Sequence, residues 1–175
     1  MIKKISKKRG FTIIESLVAI SILVVAVVGT LTAVQSSISS HIYSKDQVIA
    51  FYLAQEGFEH IRNLRDQNRL NGLHWLSGVA EDSDDPCSFG NACIVDPLLV
   101  YSPTRCSGVG NCPVLRQDNE EGYYGYHASW SPTNFKREIT LTSVNENEIA
   151  ITVEVSWSKG LVQREFRARE NLFNW

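Results

Sequence analysis

Phe11-Thr12-Ile13-Ile14-Glu15-Ser16-Leu17-Val18-Ala19-Ile20-Ser21-Ile22-Leu23-Val24-Val25-Ala26-Val27-Val28 is the stretch on which the reading of the fold turns. Its apolar character continues, with interruptions, through Gly29, Leu31, Ala33 and Val34, and no residue from Ser16 to Ser44 carries a formal charge. At about 1.5 Å per residue, residues 11–34 extend about 36 Å as a helix, enough to cross a hydrocarbon core roughly 30 Å thick with some tilt. The spacing predicts a single-pass membrane helix. Lys3, Lys4, Lys7, Lys8 and Arg9 stand just before it with no acidic residue among them, which places the N-terminus in the cytoplasm and the remainder outside.

The charge count of the whole chain conceals this asymmetry. The 175 residues carry 17 Lys+Arg and 19 Asp+Glu, a net charge of -2, with 43% hydrophobic residues. That composition suits a folded domain and lacks the basic excess of a nucleic-acid binder, so no nucleic-acid partner is expected. Without the five leader charges, twelve positive residues face nineteen negative ones, and the remainder sits at -7. An ordinary secretory signal peptide cut near Ala33 to Ser37 is the competing reading, and an unrelated bitopic anchor is another. The first fits poorly because signal peptides have apolar cores of about 7–15 residues and need no carboxylate. Glu15 costs roughly 2.5–3.5 kcal/mol near a bilayer centre and less near an edge.

Lys7-Lys8-Arg9-Gly10-Phe11-Thr12-Ile13-Ile14-Glu15-Ser16-Leu17 resembles the N-terminal signal of type IV pilins and pseudopilins. The resemblance implies cleavage by a prepilin peptidase between Gly10 and Phe11 and methylation of the new N-terminus at Phe11. It also implies an assembly role for Glu15, paired with the N-terminal amine of a neighbouring subunit. Residues 1–10 are then a cleaved leader. The implied partners are the peptidase, other pilin or pseudopilin subunits and the cytoplasmic membrane, with a cell-surface filament as the destination. No cofactor is implied.

Beyond the apolar run the pattern stays helical to about residue 70. Ile42, Ile49, Ala50, Phe51, Leu53, Ala54, Phe58, Ile61 and Leu64 fall within one half of a helical wheel, opposite Lys45, Glu56, Glu59, Asn63 and Asp66. Glu59 with Arg62, and Arg62 with Asp66, have ion-pair spacing. Gly29 to Ser40 is rich in Gly, Ser and β-branched residues, which weakens the helix locally. Leu70-Asn71-Gly72 reads as its stop. Leu53-Ala-Gln-Glu-Gly57-Phe-Glu59-His-Ile-Arg62 resembles a segment of PilV-type minor pilins.

Composition changes after residue 70. All five prolines and seven of eleven glycines lie between Asn71 and Pro132, so residues 71–135 read as loops with short strands. The four cysteines form two C-x5-C segments, Cys87 to Cys93 and Cys106 to Cys112, each with Cys-Ser followed by Gly-Asn. This echo suggests two locally closed disulfide loops in an oxidising compartment, although four cysteines allow three connectivities. Zinc usually prefers two to four residues between paired cysteines. The acidic run Glu81-Asp82-Ser83-Asp84-Asp85 lacks the glycine and terminal glutamate of an EF-hand and reads as a solvated turn, with calcium the alternative. No metal site is expected.

Residues 136–170 show period-two alternation. Ile149, Ile151, Val153, Val155 and Trp157 face one way, with Ile139 and Leu141 before them and Phe166 and Ala168 after. The amphipathic half of the helix is the available cover. The expected fold is α+β and pilin-like: a long N-terminal helix, residues 11–70, on a C-terminal antiparallel sheet, within an exported part spanning residues 71–175. No catalytic spacing is present, neither a Gly-x-Ser-x-Gly elbow nor paired histidines, so a structural subunit is expected and not an enzyme. A non-polymerising envelope protein, or a binding module displayed by the disulfide loops, is the alternative.

Overall fold

A computed structural model of the chain describes residues 10–96, 98 and 103–175. Apart from Gly10, the basic leader lies outside the described residues. The chain divides into two compact units, Met1–Lys45 and Asp46–Trp175.

One helix, α1, runs from Ile13 to Leu70. Its start is capped locally: the Glu15 amide donates to Thr12 Oγ1 at 3.3 Å, and Thr12-Ile13-Ile14-Glu15 has the Thr-x-x-Glu spacing of a capping box. Helix continues through the Gly- and Ser-rich segment, in which Thr30 and Thr32 fold their hydroxyls back onto the Val27 and Gly29 carbonyls, as Ser21 and Ser44 do on either side of it with those of Val18 and Ser40. These four hydroxyls thereby find acceptors within the helix itself. At the other end, Gly72 adopts a φ of 71°, the Leu73 amide donates to the Asn68 carbonyl and the Gly72 amide to that of Arg69. This is the Schellman arrangement, which glycine admits without steric cost.

In the first unit, Ile13 to Val34 leave every large apolar side chain exposed. By length and composition this part of α1 is apolar enough to cross a membrane.

In the second unit, α1 covers an antiparallel sheet. The strands are β1 (Ala92–Ile94), β2 (Thr104–Arg105), β3 (Val114–Gln117), β4 (Tyr124–Gly125), β5 (Ser131–Asn145), β6 (Glu148–Lys159) and β7 (Val162–Phe173). β5, β6 and β7 form a meander of long strands, with Ile139 opposite Val153 and Val153 opposite Ala168. The other side of β5 is shared, its first part pairing with β3 and its middle with β1. The layout is α+β and pilin-like, a long N-terminal helix on a C-terminal antiparallel sheet.

Ala50, Leu53, Ala54, Phe58 and Ile61 of α1 form the core with Phe135, Ile139, Leu141, Ile149, Ile151, Val153, Val155 and Trp157. Gly57 sits in the middle of this face. A Cβ there would lie 3.3 Å from both Ile139 Cδ1 and Val153 Cγ1, so its absence lets the helix approach the sheet closely. Phe51, assigned by the wheel to the buried half, is 50% exposed and meets Phe166 edge to face at 5.9 Å. Arg62 pairs with Glu59 as spaced, but its second carboxylate is Glu170 of β7, while Asp66 accepts from Arg65.

Candidate functional site: the N-terminal signal and the disulfide-bearing face

Gly10 precedes the helix and is exposed. A Cβ there would meet nothing within 4 Å, so packing among the described residues does not require glycine at this position. Phe11 is 77% exposed. Glu15 projects from the first turn of α1, where a carboxylate complements the positive end of the helix dipole. Among the described residues it has no ion-pair partner. Gly10, Phe11 and Glu15 thus lie within six consecutive positions at the head of an unpartnered apolar helix. Thr12, which the sequence reading passed over, is the group that starts the helix, and its Thr-x-x-Glu spacing was the signal for it.

Both C-x5-C segments are closed, Cys87 to Cys93 and Cys106 to Cys112, with Cα separations of 5.1 and 4.9 Å. Each ring contains a turn whose third residue is a glycine of positive φ and whose fourth is asparagine. In the first, the Asn91 amide returns to the Ser88 carbonyl over Gly90; in the second, the Asn111 amide returns to that of Gly108 over Gly110. The turns are offset by one residue within their rings, and the rings serve different faces of the sheet. Cys93 stands opposite Ile139 and enters the main core with Cys87. Ala92, opposite Thr140, points the other way and joins Ile94, Cys106 and Cys112 in a separate apolar cluster. Each disulfide therefore fixes one side of the short strand β1.

The acidic run is a structured turn. Asp85 Oδ2 accepts the amides of Glu81 and Asp82 at 2.8 and 2.9 Å, while Arg105 Nη2 donates to the Ser83 carbonyl at 2.7 Å and to Ser88 Oγ at 3.0 Å. One carboxylate is thus consumed inside the turn, and Arg105 ties it to the first disulfide ring. Among the described residues no group of three potential metal ligands comes together.

Two arginine arrangements hold this unit together, and neither was foreseen from the sequence. Arg137 is wholly buried on β5 between Phe135 and Ile139. It donates to the Leu53 carbonyl of α1 at 3.0 Å, to Glu56 at 3.1 Å and to the Val95 carbonyl beyond β1 at 2.7 Å. One side chain thereby joins helix, central strand and the exit of β1. Next to it, burial pushes the Tyr126 hydroxyl up to about 12. Burial and then the Arg137 charge hold the His60 imidazole below its ordinary value. Along α1, Arg62 donates to Glu170, Arg65 to the Phe173 carbonyl and Arg69 to the Trp175 carbonyl, so three arginines on the helix grip the end of β7. Arg65 also stacks 3.8 Å over the Trp175 ring.

Comparison with known proteins singles out the first of these regions. The family model of the prokaryotic N-terminal methylation motif matches residues 5–31, which take in Gly10, Phe11, Glu15 and the apolar start of α1. No curated protein and no solved structure matches the chain. The motif and the apolar helix behind it together support membrane anchoring and a type IV pilin-like precursor.

Proposed function

We propose that the chain is a structural subunit, a minor pilin or pseudopilin, of a type IV pilus or a type II secretion-like filament, and not an enzyme. Prepilin peptidase cuts after Gly10, and Phe11 becomes the methylated N-terminus. The cut precedes the apolar run, so the helix remains attached to the mature protein. It first anchors the subunit in the cytoplasmic membrane, with the globular unit outside, and later packs among the helices of neighbouring subunits. The observation carrying this reading is the methylation motif placed directly on an apolar helix whose large side chains from Ile13 to Val34 are exposed among the described residues.

Glu15 is then the one carboxylate in an apolar bundle. A charge in such surroundings is costly unless paired, and pairing with the new amine of an adjacent subunit fixes the register between helices. Substituting Glu15→Ala is expected to leave cleavage and membrane insertion intact while reducing incorporation into sheared filaments at least tenfold. Filament incorporation equal to that of the unaltered protein would overturn the assignment.

A further inference from the structure

β7 leaves a backbone edge open along most of its length, since among the described residues it pairs with β6 alone and only its last residue, Phe173, gives its carbonyl to Arg65. The opposite margins of the sheet end in β2 and β4, of two residues each. An open edge of that length invites pairing, and charged side chains commonly blunt it. The charges on β7 are arranged in an unusual order. Reading outward from Arg167 in both directions, Phe166 mirrors Ala168, Glu165 mirrors Arg169, Arg164 mirrors Glu170, Gln163 mirrors Asn171 and Val162 mirrors Leu172. Each charge is mirrored by its opposite, and each apolar or amide residue by its like.

We propose that β7 pairs antiparallel with β7 of a second copy of this chain, about a two-fold axis at Arg167. Mirrored residues are an even number of positions apart. Opposed side chains therefore share a face and opposed backbone groups share a hydrogen-bonding side, as an antiparallel ladder requires. Slipping the register by the smallest allowed step in one direction sets Arg167 opposite Arg169 twice. Slipping it in the other sets Glu170 opposite Val162 and Arg169 opposite Gln163, and its single kind of attractive pair, Arg167 with Glu165, replaces the two kinds of the mirrored register. At the axis the two Arg167 guanidinium groups meet, but each is already held by Glu154 of its own sheet. On the helix side, a groove lined by Phe51, Phe58, Phe166 and Ala168 together with the Arg62–Glu170 pair borders this edge, so pairing also covers part of that apolar surface.

A two-fold axis normal to the sheet reverses the stretch of α1 that lies on it. The stretches of α1 that lie on the two paired sheets thus run in opposite senses. The inference does not depend on the filament reading.

Glu165 and Arg169 are exposed, so reversing them leaves the fold in place. The test is sedimentation of the full chain in a neutral detergent across a concentration series, with circular dichroism as the folding check. The unaltered chain is expected to dimerise. Glu165→Arg or Arg169→Glu alone turns two symmetry-related attractive pairs repulsive and is expected to weaken the dimer about tenfold or more. The double variant restores opposite charges and is expected to return to within about threefold of the unaltered chain. The proposal is overturned by an unaltered chain that stays monomeric, by a dimer indifferent to the single reversals, or by a double variant no tighter than the singles.

Discussion

Replacing Arg137 by methionine removes a side chain that connects α1, β5 and the exit of β1, and the structure sets the size of the effect. Methionine fills much of the arginine stem's volume, so the loss is polar and little of it is packing. The Val95 residue is wholly buried, and its carbonyl loses the 2.7 Å guanidinium bond, an unmet acceptor costing about 1–3 kcal/mol. The Leu53 carbonyl lies within the helix and keeps its ladder position, so its loss is smaller. Glu56 is one-third exposed and rehydrates, which limits its share to about 1 kcal/mol. The expected total is about 2–4 kcal/mol, a large part of the roughly 5–15 kcal/mol that such a unit has. Glu56→Gln should cost no more than about 1 kcal/mol, because both carbonyls still hold the guanidinium. Urea unfolding of the full chain in detergent, followed by tryptophan fluorescence, reads this directly, since all four tryptophans lie in the second unit. An Arg137→Met variant within about 0.5 kcal/mol of the unaltered chain, a level typical of inconsequential surface changes, would refute the reasoning. So would a Glu56→Gln loss as large as that of Arg137→Met.

Three further outcomes follow from the same packing. Gly57→Leu drives a side chain into Ile139 and Val153 and should destabilise the second unit by about 1–3 kcal/mol, whereas Gly57→Ala should be near neutral because about 1 kcal/mol of helix propensity offsets its tight contacts; the same urea titration checks both. Opening the second disulfide by Cys106→Ser with Cys112→Ser should cost about 2 kcal/mol from loop entropy, and opening the first should cost more because Cys87 and Cys93 are wholly buried in the main core; thermal unfolding of the two pairs ranks them. His60 has a lowered folded-state value, so its neutral form is favoured in the native state. Its contribution is fully present above its unfolded value near 6.5 and falls as pH drops through that point towards the folded value; Gln at position 60 should flatten the slope of stability against pH in that window.

How much of this was legible in the sequence depended on whether a feature had a period or a linear motif. The helix and the three long strands announce themselves because a repeat of 3.6 or 2 continues over many residues, as from Ile149 to Trp157. β1 to β4 have two to four residues each, too few to show alternation, and they are held by β5 and the disulfides. Arg137 was hidden for the opposite reason: it occupies an inward phase between Phe135 and Ile139, where a charge reads as an interruption of the strand pattern and not as its centre. The Cys-Ser and Gly-Asn echo is visible in the sequence, but the side of the sheet each ring serves is set by which residue of β1 faces α1, and that depends on its register with β5. At the head of α1, the methylation motif was legible because it is a linear pattern within residues 5–31 that depends on no contact elsewhere in the chain.

The central claim concerns that processing, and the intact mass of the protein purified from the cell that makes it tests the claim most directly. The account predicts a chain beginning at Phe11, heavier by one methyl group at its N-terminus and lighter by four hydrogens for the two disulfides. A chain that retains residues 1–10, or one that begins near Ser36 or Ser37 with the apolar helix removed, would contradict it.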